Sequence, residues 1–193
     1  MSTVPEPHMS PEEYLERERK AEWKSEYFDG EVFAMSGASR CHVLITRNVT
    51  VALHQRLQGK PYEVYGSNMR VRVSPMELYT YPDVTVTCGD EQFLDDEVDT
   101  LLNPLLIVEV LSKSTSNYDR GEKFESYRTL PSFREYLCVS QDRVQVEQFQ
   151  RQETGQWLLT VYSDRSAAIP LPGLAIELPL AEIYESVLPS LPA

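Results

Sequence analysis

The stretch Leu105-Leu106-Ile107-Val108-Glu109-Val110-Leu111 constrains this chain more than any other. A near-continuous apolar run of strand length is what a central strand covered on both faces requires. It therefore predicts an α/β architecture with layers on either side of a sheet. Glu109 breaks the run. A buried, unpaired carboxylate is costly, so this group must be paired, protonated or bound to a cation.

The remaining elements can be read around that strand. Ser10, Pro11 and the acids Glu12 and Glu13 have the pattern of an N-cap, a first helical turn and its favourable charges, so a short helix is expected to about Arg19. Residues 1–9 are expected to be a mobile arm, with one domain from 10 to 193. Glu26–Met35 reads as a β-hairpin turning at Asp29-Gly30. Ser39 can cap a helix over 40–58, whose Val43, Ile45, Val49, Ala52, Leu53 and Leu57 form one apolar face. Strands are expected at 62–65, 69–73 and 82–88, and a helix over 119–130. An antiparallel meander over 134–139, 143–151 and 157–162 precedes a last helix at 179–186.

A second carboxylate, Asp83, opens the 82–88 run just after Pro82, at a position where a proline costs no ladder hydrogen bond. Two strands that each present one carboxylate can aim both at one point, a hard-oxygen site of the kind Mg²⁺ or Mn²⁺ prefers. Asp119, Lys123 and Tyr127 are spaced i, i+4, i+8 and share a helical face. If that face looks at the strand ends, Lys123 joins the two acids. Two carboxylates, a metal and a lysine are a minimum set for phosphodiester hydrolysis: the metal lowers the pKa of water and the lysine stabilises developing charge.

These residues resemble a known family. Pro82-Asp83 followed by Glu109-Val110-Leu111 is similar to the bipartite signature of the PD-(D/E)XK nuclease superfamily. More closely, the chain resembles the Uma-type restriction endonucleases through Tyr27–Glu31, Met35–Ser39 with His42, Tyr81–Val84 and Ile107–Ser112. The likeness continues through Ser114-Thr115, Asp119, Lys123, Tyr127 and Glu135–Leu137, over about residues 10–185. The resemblance implies a restriction-endonuclease-like mixed central sheet flanked by helices, with the meander as an addition. It implies a Mg²⁺- or Mn²⁺-dependent endonuclease acting on DNA, with Asp83, Glu109 and the Val110 carbonyl as metal ligands. The superfamily's lysine usually stands two residues after the second acid, where this chain has Leu111. The resemblance implies that Lys123 replaces it, with Lys113 as the nearer rival. It also implies an acid from the N-terminal segment near the metals, which Glu31 or Glu26 could supply, with Glu31 preferred.

Blander readings stand beside these. Asp83 could cap backbone N–H groups at a strand start, and Glu109 could pair with a buried arginine. Asp119, with Glu122 three residues on, reads as a helix N-cap and is left out of the catalytic set. His42 shares the inward face of its helix, where a core histidine is the commoner outcome. Arg70 and Arg72 alternate on one strand face and read as surface residues. The chain could also be an idle scaffold that kept the fold, or could act on RNA.

Charge limits the choice further. Thirty acids against eighteen bases leave the 193-residue chain at −12, which opposes non-specific coating of nucleic acid. Six of those acids fall in the stretch Asp90–Asp99, read as a solvated loop away from the motif residues. Cys41, Cys88 and Cys138 are odd in number and far apart, fitting a reducing cytoplasm rather than a disulfide framework. No run approaches the roughly 18 apolar residues of a membrane span, and the first residues lack the pattern of a signal peptide. Related nucleases often dimerise, and a sheet edge in the meander could serve a homodimer.

Overall fold

The computed structural model describes residues 8–113 and 115–187. Most of the expected arm, residues 1–7, and Ser114 of the motif lie outside them. Met9 at the end of the arm is held in place: its N–H donates to the Gly30 carbonyl at 3.1 Å, and its carbonyl accepts from Tyr27 Oη at 2.9 Å.

Helix α1 (Pro11–Glu18) leads into the hairpin β1 (Ser25–Phe28) and β2 (Glu31–Ala34). Asp29 and Gly30 both have positive φ, 45° and 88°, the backbone a tight two-residue hairpin turn demands and glycine supplies cheaply. Helix α2 (Arg40–Leu57) follows, then β3 (Tyr62–Gly66), β4 (Arg70–Val73), β5 (Leu78–Thr80), β6 (Val84–Cys88), β7 (Thr100–Leu101) and β8 (Leu106–Leu111). A helical segment comes next: α3 (Ser116–Tyr118), a π-turn (Asp119–Lys123) and α4 (Phe124–Tyr127). The chain ends in β9 (Glu135–Ser140), β10 (Val146–Arg151), β11 (Trp157–Tyr162), the hairpin β12 (Ala168–Leu171) and β13 (Ile176–Pro179), and α5 (Leu180–Ile183).

Two sheets organise these elements. The larger has the order β11-β10-β9-β8-β6-β3, with β8 and β9 parallel and its other neighbours antiparallel. The smaller has the order β2-β1-β5-β4-β7. The mixed α/β expectation is met, with β8 central and buried along its whole length. The meander is not an addition to the sheet: β9 pairs with β8, so β9–β11 form half of it. β5, β7 and the β12–β13 hairpin were not expected. Pro170 inside β12 hides that strand from a propensity reading, yet a proline is tolerated in a two-stranded edge ribbon.

Alternation along β8 decides which layer each side chain meets. Leu106, Val108 and Val110 join a core shared with α2, β12, β13 and α5, containing the fully buried Ile45, Val49 and Leu53. Removing one such leucine side chain costs about 2–5 kcal/mol. Ile107 and Leu111 join the opposite core, where Tyr127, Phe133 and Tyr136 pack in edge-on and tilted aromatic contacts. Glu109 projects to that second side, where the Tyr127 hydroxyl donates to it.

Candidate active site

The acids converge where the two sheets meet. Asp83 lies in the short connection Tyr81–Asp83 by which the chain leaves β5 of the smaller sheet and enters β6 of the larger. Its carboxylate is held at both oxygens. Oδ2 accepts the Val110 backbone N–H at 2.7 Å, tying it to β8 beside Glu109. Oδ1 is 2.7 Å from His42 Nε2. Ser39 caps α2 by accepting the His42 N–H at 3.1 Å, which fixes the histidine in the first helical turn. The positive end of the α2 dipole favours an anion nearby.

Glu109 is 5% exposed and meets the helical segment after β8. Its Oε1 lies 3.3 Å from Lys123 Nζ and accepts from Tyr127 Oη at 3.1 Å. Lys123, 6% exposed, also lies 3.0 Å from Glu26 Oε1 and 3.5 Å from Asp119 Oδ1. Glu26 comes from β1 of the smaller sheet and accepts from the Thr80 hydroxyl and, at 3.3 Å, from the Tyr81 N–H. Asp119 and Lys123 bound the π-turn, and a single π-turn inside a helix often marks a functional site. Tyr136 Oη fixes that turn by donating to the Asp119 carbonyl at 2.9 Å.

One ammonium is thus surrounded by three carboxylates, with Asp83 close behind. Burial pushes the Glu109 carboxyl well above its ordinary range; Lys123 opposes this, while Asp119, Asp83 and Glu26 add to it. Burial alone would lower the Lys123 ammonium, but Glu109, Tyr127, Glu26 and Asp119 reverse that and hold it well above the usual lysine value. Burial likewise raises Asp119, against the pull of Lys123. The cluster is short of positive charge.

Of the site residues expected from sequence, Asp83, Glu109, Val110 and Lys123 come together, and Glu31 does not. Glu31 is exposed at the turn end of the hairpin, opposite Phe28, while Glu26 occupies the position expected of it. Lys113 is exposed after β8, so Lys123 is the lysine in the cluster. Glu109 pairs with that lysine rather than with an arginine. Asp119 is no N-cap, because the helical segment begins three residues earlier, at Ser116; it is buried beside Lys123. His42 leaves the core to reach Asp83.

Sequence reasoning also misplaced the arginines and the acidic loop. Arg70 is 2% exposed and pairs with Asp99 at 2.8 Å, while Arg19 bridges Asp95 and Asp99, each at 2.8 Å. Arg19, with Thr100 and Arg70, holds the Asp99 carboxyl well below the usual range. The loop 90–99 is therefore stapled to α1 and β4, not simply solvated.

The mixed sheet, meeting a second sheet at an acidic cluster, makes a mixed α/β fold that is found again in a solved structure. A crystal structure from Anabaena variabilis of a "putative nuclease belonging to DUF820" superposes with a TM-score of 0.74 at 16% identity, covering 93% of this chain and 99% of that one. The chain belongs to the Uma2 family, described as "Putative restriction endonuclease", whose model matches residues 11–181. It is also 40% identical over 157 residues to the uncharacterized protein sll1609 of Synechocystis, covering 81% of this chain and 89% of that protein. The uncharacterized protein slr1290 of the same organism is 38% identical over 165 residues, with 84% and 86% covered. Among the described residues no helix is long and apolar enough to cross a membrane.

Proposed function

We propose that the chain is a Mg²⁺- or Mn²⁺-dependent endonuclease that hydrolyses DNA phosphodiester bonds at the Asp83–Glu109 cluster. The observation that carries this reading is the charge imbalance: Glu26, Glu109 and Asp119 gather around the buried ammonium of Lys123, and Asp83 adds a fourth carboxylate beside Glu109. A divalent cation is the hard, doubly charged partner such a donor set fits.

Among the described residues no group of three or more His, Cys, Asp or Glu side chains is placed to hold a metal ion, so Mg²⁺ would rest here on one or two carboxylates and complete its shell with water and phosphate oxygens. Asp83, Glu109 and the Val110 backbone would hold it, and when bound it would acidify water and neutralise charge on the phosphate. His42 and the Val110 N–H orient Asp83, so its carboxylate needs little reorganisation. Lys123 holds Glu26, Glu109 and Asp119 together and so fixes the carboxylates around the reacting phosphate. Tyr127 donates to the same Glu109 oxygen that Lys123 meets and so helps to fix its rotamer.

Nicking of supercoiled plasmid tests this. Cutting is expected with Mn²⁺ or Mg²⁺, to disappear with EDTA, and to be lost in Asp83→Ala and in Glu109→Ala. If both variants cut like the parent chain, the site assignment is wrong.

A further inference from the structure

The nuclease reading does not by itself say which form of nucleic acid reaches the cluster. The β1–β2 hairpin bears on that. Directly opposed residues of an antiparallel pair project to the same face. Phe33 is opposite Glu26, and the pairing continues to Lys24 and Met35, whose N–H donates to the Lys24 carbonyl at 3.0 Å. Phe33 and Met35 therefore stand on the face that carries Glu26 into the acidic cluster. They are 48% and 37% exposed on the outer strand of the smaller sheet.

Lys24 supplies the charge on this face. Its Nζ is held by neutral acceptors, the Ser67 carbonyl at 2.6 Å and Asn68 Oδ1 at 3.2 Å, and lies 5.1 Å from the centre of the Tyr81 ring. Among the described residues it forms no ion pair, unlike Lys123, which is enclosed by three carboxylates. Burial pulls the Lys24 ammonium down while Asp83, Glu18 and Glu26 hold it up, and by register Lys24 shares its face with the two exposed apolar side chains. A phosphate beside a stacking base has that combination of needs.

Overall charge points the same way. A chain at −12 gains little from tracking a long duplex backbone. Stacking of a base on an apolar side chain carries no such charge penalty.

We propose that Phe33 and Met35 form a platform for an unstacked nucleobase, with Lys24 holding an adjacent phosphate, so that the substrate is single-stranded or locally unpaired nucleic acid. This rests on the nuclease reading of the cluster. The platform recognises a base and a phosphate, which single-stranded DNA and single-stranded RNA both offer.

Fluorescence anisotropy of the full chain with labelled oligo-dT, oligo-rU and a DNA duplex tests it, in Ca²⁺ to slow cleavage. At least one single strand is expected to bind roughly ten-fold tighter than the duplex, and the tighter of the two identifies the sugar preferred. Phe33→Ala is expected to weaken that binding roughly ten-fold and Phe33→Tyr to retain it. Lys24→Ala is expected to weaken it and flatten its salt dependence. Phe33 is exposed, so an unchanged thermal melt of Phe33→Ala separates lost stacking from lost folding. Equal affinity for duplex and single strands, or an indifferent Phe33→Ala, overturns the platform; if plasmid nicking still depends on Asp83, the nuclease reading survives that result. Absence of binding to all three probes together with absence of nicking overturns both.

Discussion

Two buried glutamates on adjacent strands of the same sheet show what separates a site from a merely buried charge. Glu109 on β8 and Glu135 at the start of β9 are 5% and 2% exposed, and burial raises both carboxyls. Around Glu109 the fold gathers a lysine, a tyrosine hydroxyl and three further carboxylates from both sheets and the helical segment. Around Glu135 it provides one donor, the Gly173 N–H at 3.2 Å from Oε1, and among the described residues Oε2 has no hydrogen-bond partner. Burial is common to the two. Convergence of other charges on a point that several elements share belongs to Glu109 alone, and that is why it, not Glu135, anchors the proposed chemistry.

The contrast can be broken by experiment. Lys123→Met leaves Glu26, Glu109 and Asp119 buried together without their cation. A loss of about 3–5 kcal/mol is expected in urea denaturation, as for removal of one partner from a buried ion pair. Added Mg²⁺ should restore part of it if the cluster binds a cation. A loss under 1 kcal/mol (~0.5, typical of an exposed pair) would mean that Lys123 is not what holds the acids together.

Glu135 should behave in the opposite sense. Its carboxyl is pushed up to about 7 by burial, against an ordinary value of 4.5, with the Gly173 N–H pulling it back. The folded chain therefore keeps a proton that the unfolded chain releases between those values. Its contribution is complete below the lower value and is lost as pH rises towards 7, by at most about 3 kcal/mol. Glu135→Gln should stabilise the chain at pH 8, remove that part of the pH dependence in denaturation curves, and leave plasmid nicking unchanged. A variant that lost nicking would put Glu135 inside the functional site and dissolve the comparison.

Tyr127→Phe is the mildest change, deleting one buried hydroxyl that donates to Glu109 at 3.1 Å. A stability cost of about 1 kcal/mol is expected. Nicking should fall more than this cost in folding explains, if the rotamer of Glu109 matters to cutting. Equal activity would show that Lys123 alone positions the carboxylate.

Legibility in the sequence follows the same division. The apolar run with Glu109 inside it, the Asp-Gly turn and the helix capped by Ser39 were readable because each depends on neighbours a few residues away. Asp83 was readable as a candidate because Pro82 marks the start of a strand. The choice of Glu26 over Glu31 was not. Both lie on one hairpin, and only the pairing of β1 with β5 shows which end points inward and which end is the exposed turn. Asp119 imitated a cap because the helical segment's true start at Ser116 carries no side-chain cap hydrogen bond. The β12–β13 hairpin was missed because proline propensity argues against a strand that edge pairing permits.

By itself, then, the sequence determined the central strand and the polar exception inside it, since burying an apolar run and compensating one buried carboxylate are demands no fold of this chain can avoid. Only the tertiary structure decided what surrounds it: Lys123 across a π-turn as the compensating cation, and, as further acids that add to the strain, Glu26 from a second sheet and Asp83 tied through His42 and the Val110 N–H. Those partners lie between 14 and 83 residues from Glu109 along the chain, a range over which local propensity has no force and packing geometry alone sets who meets whom.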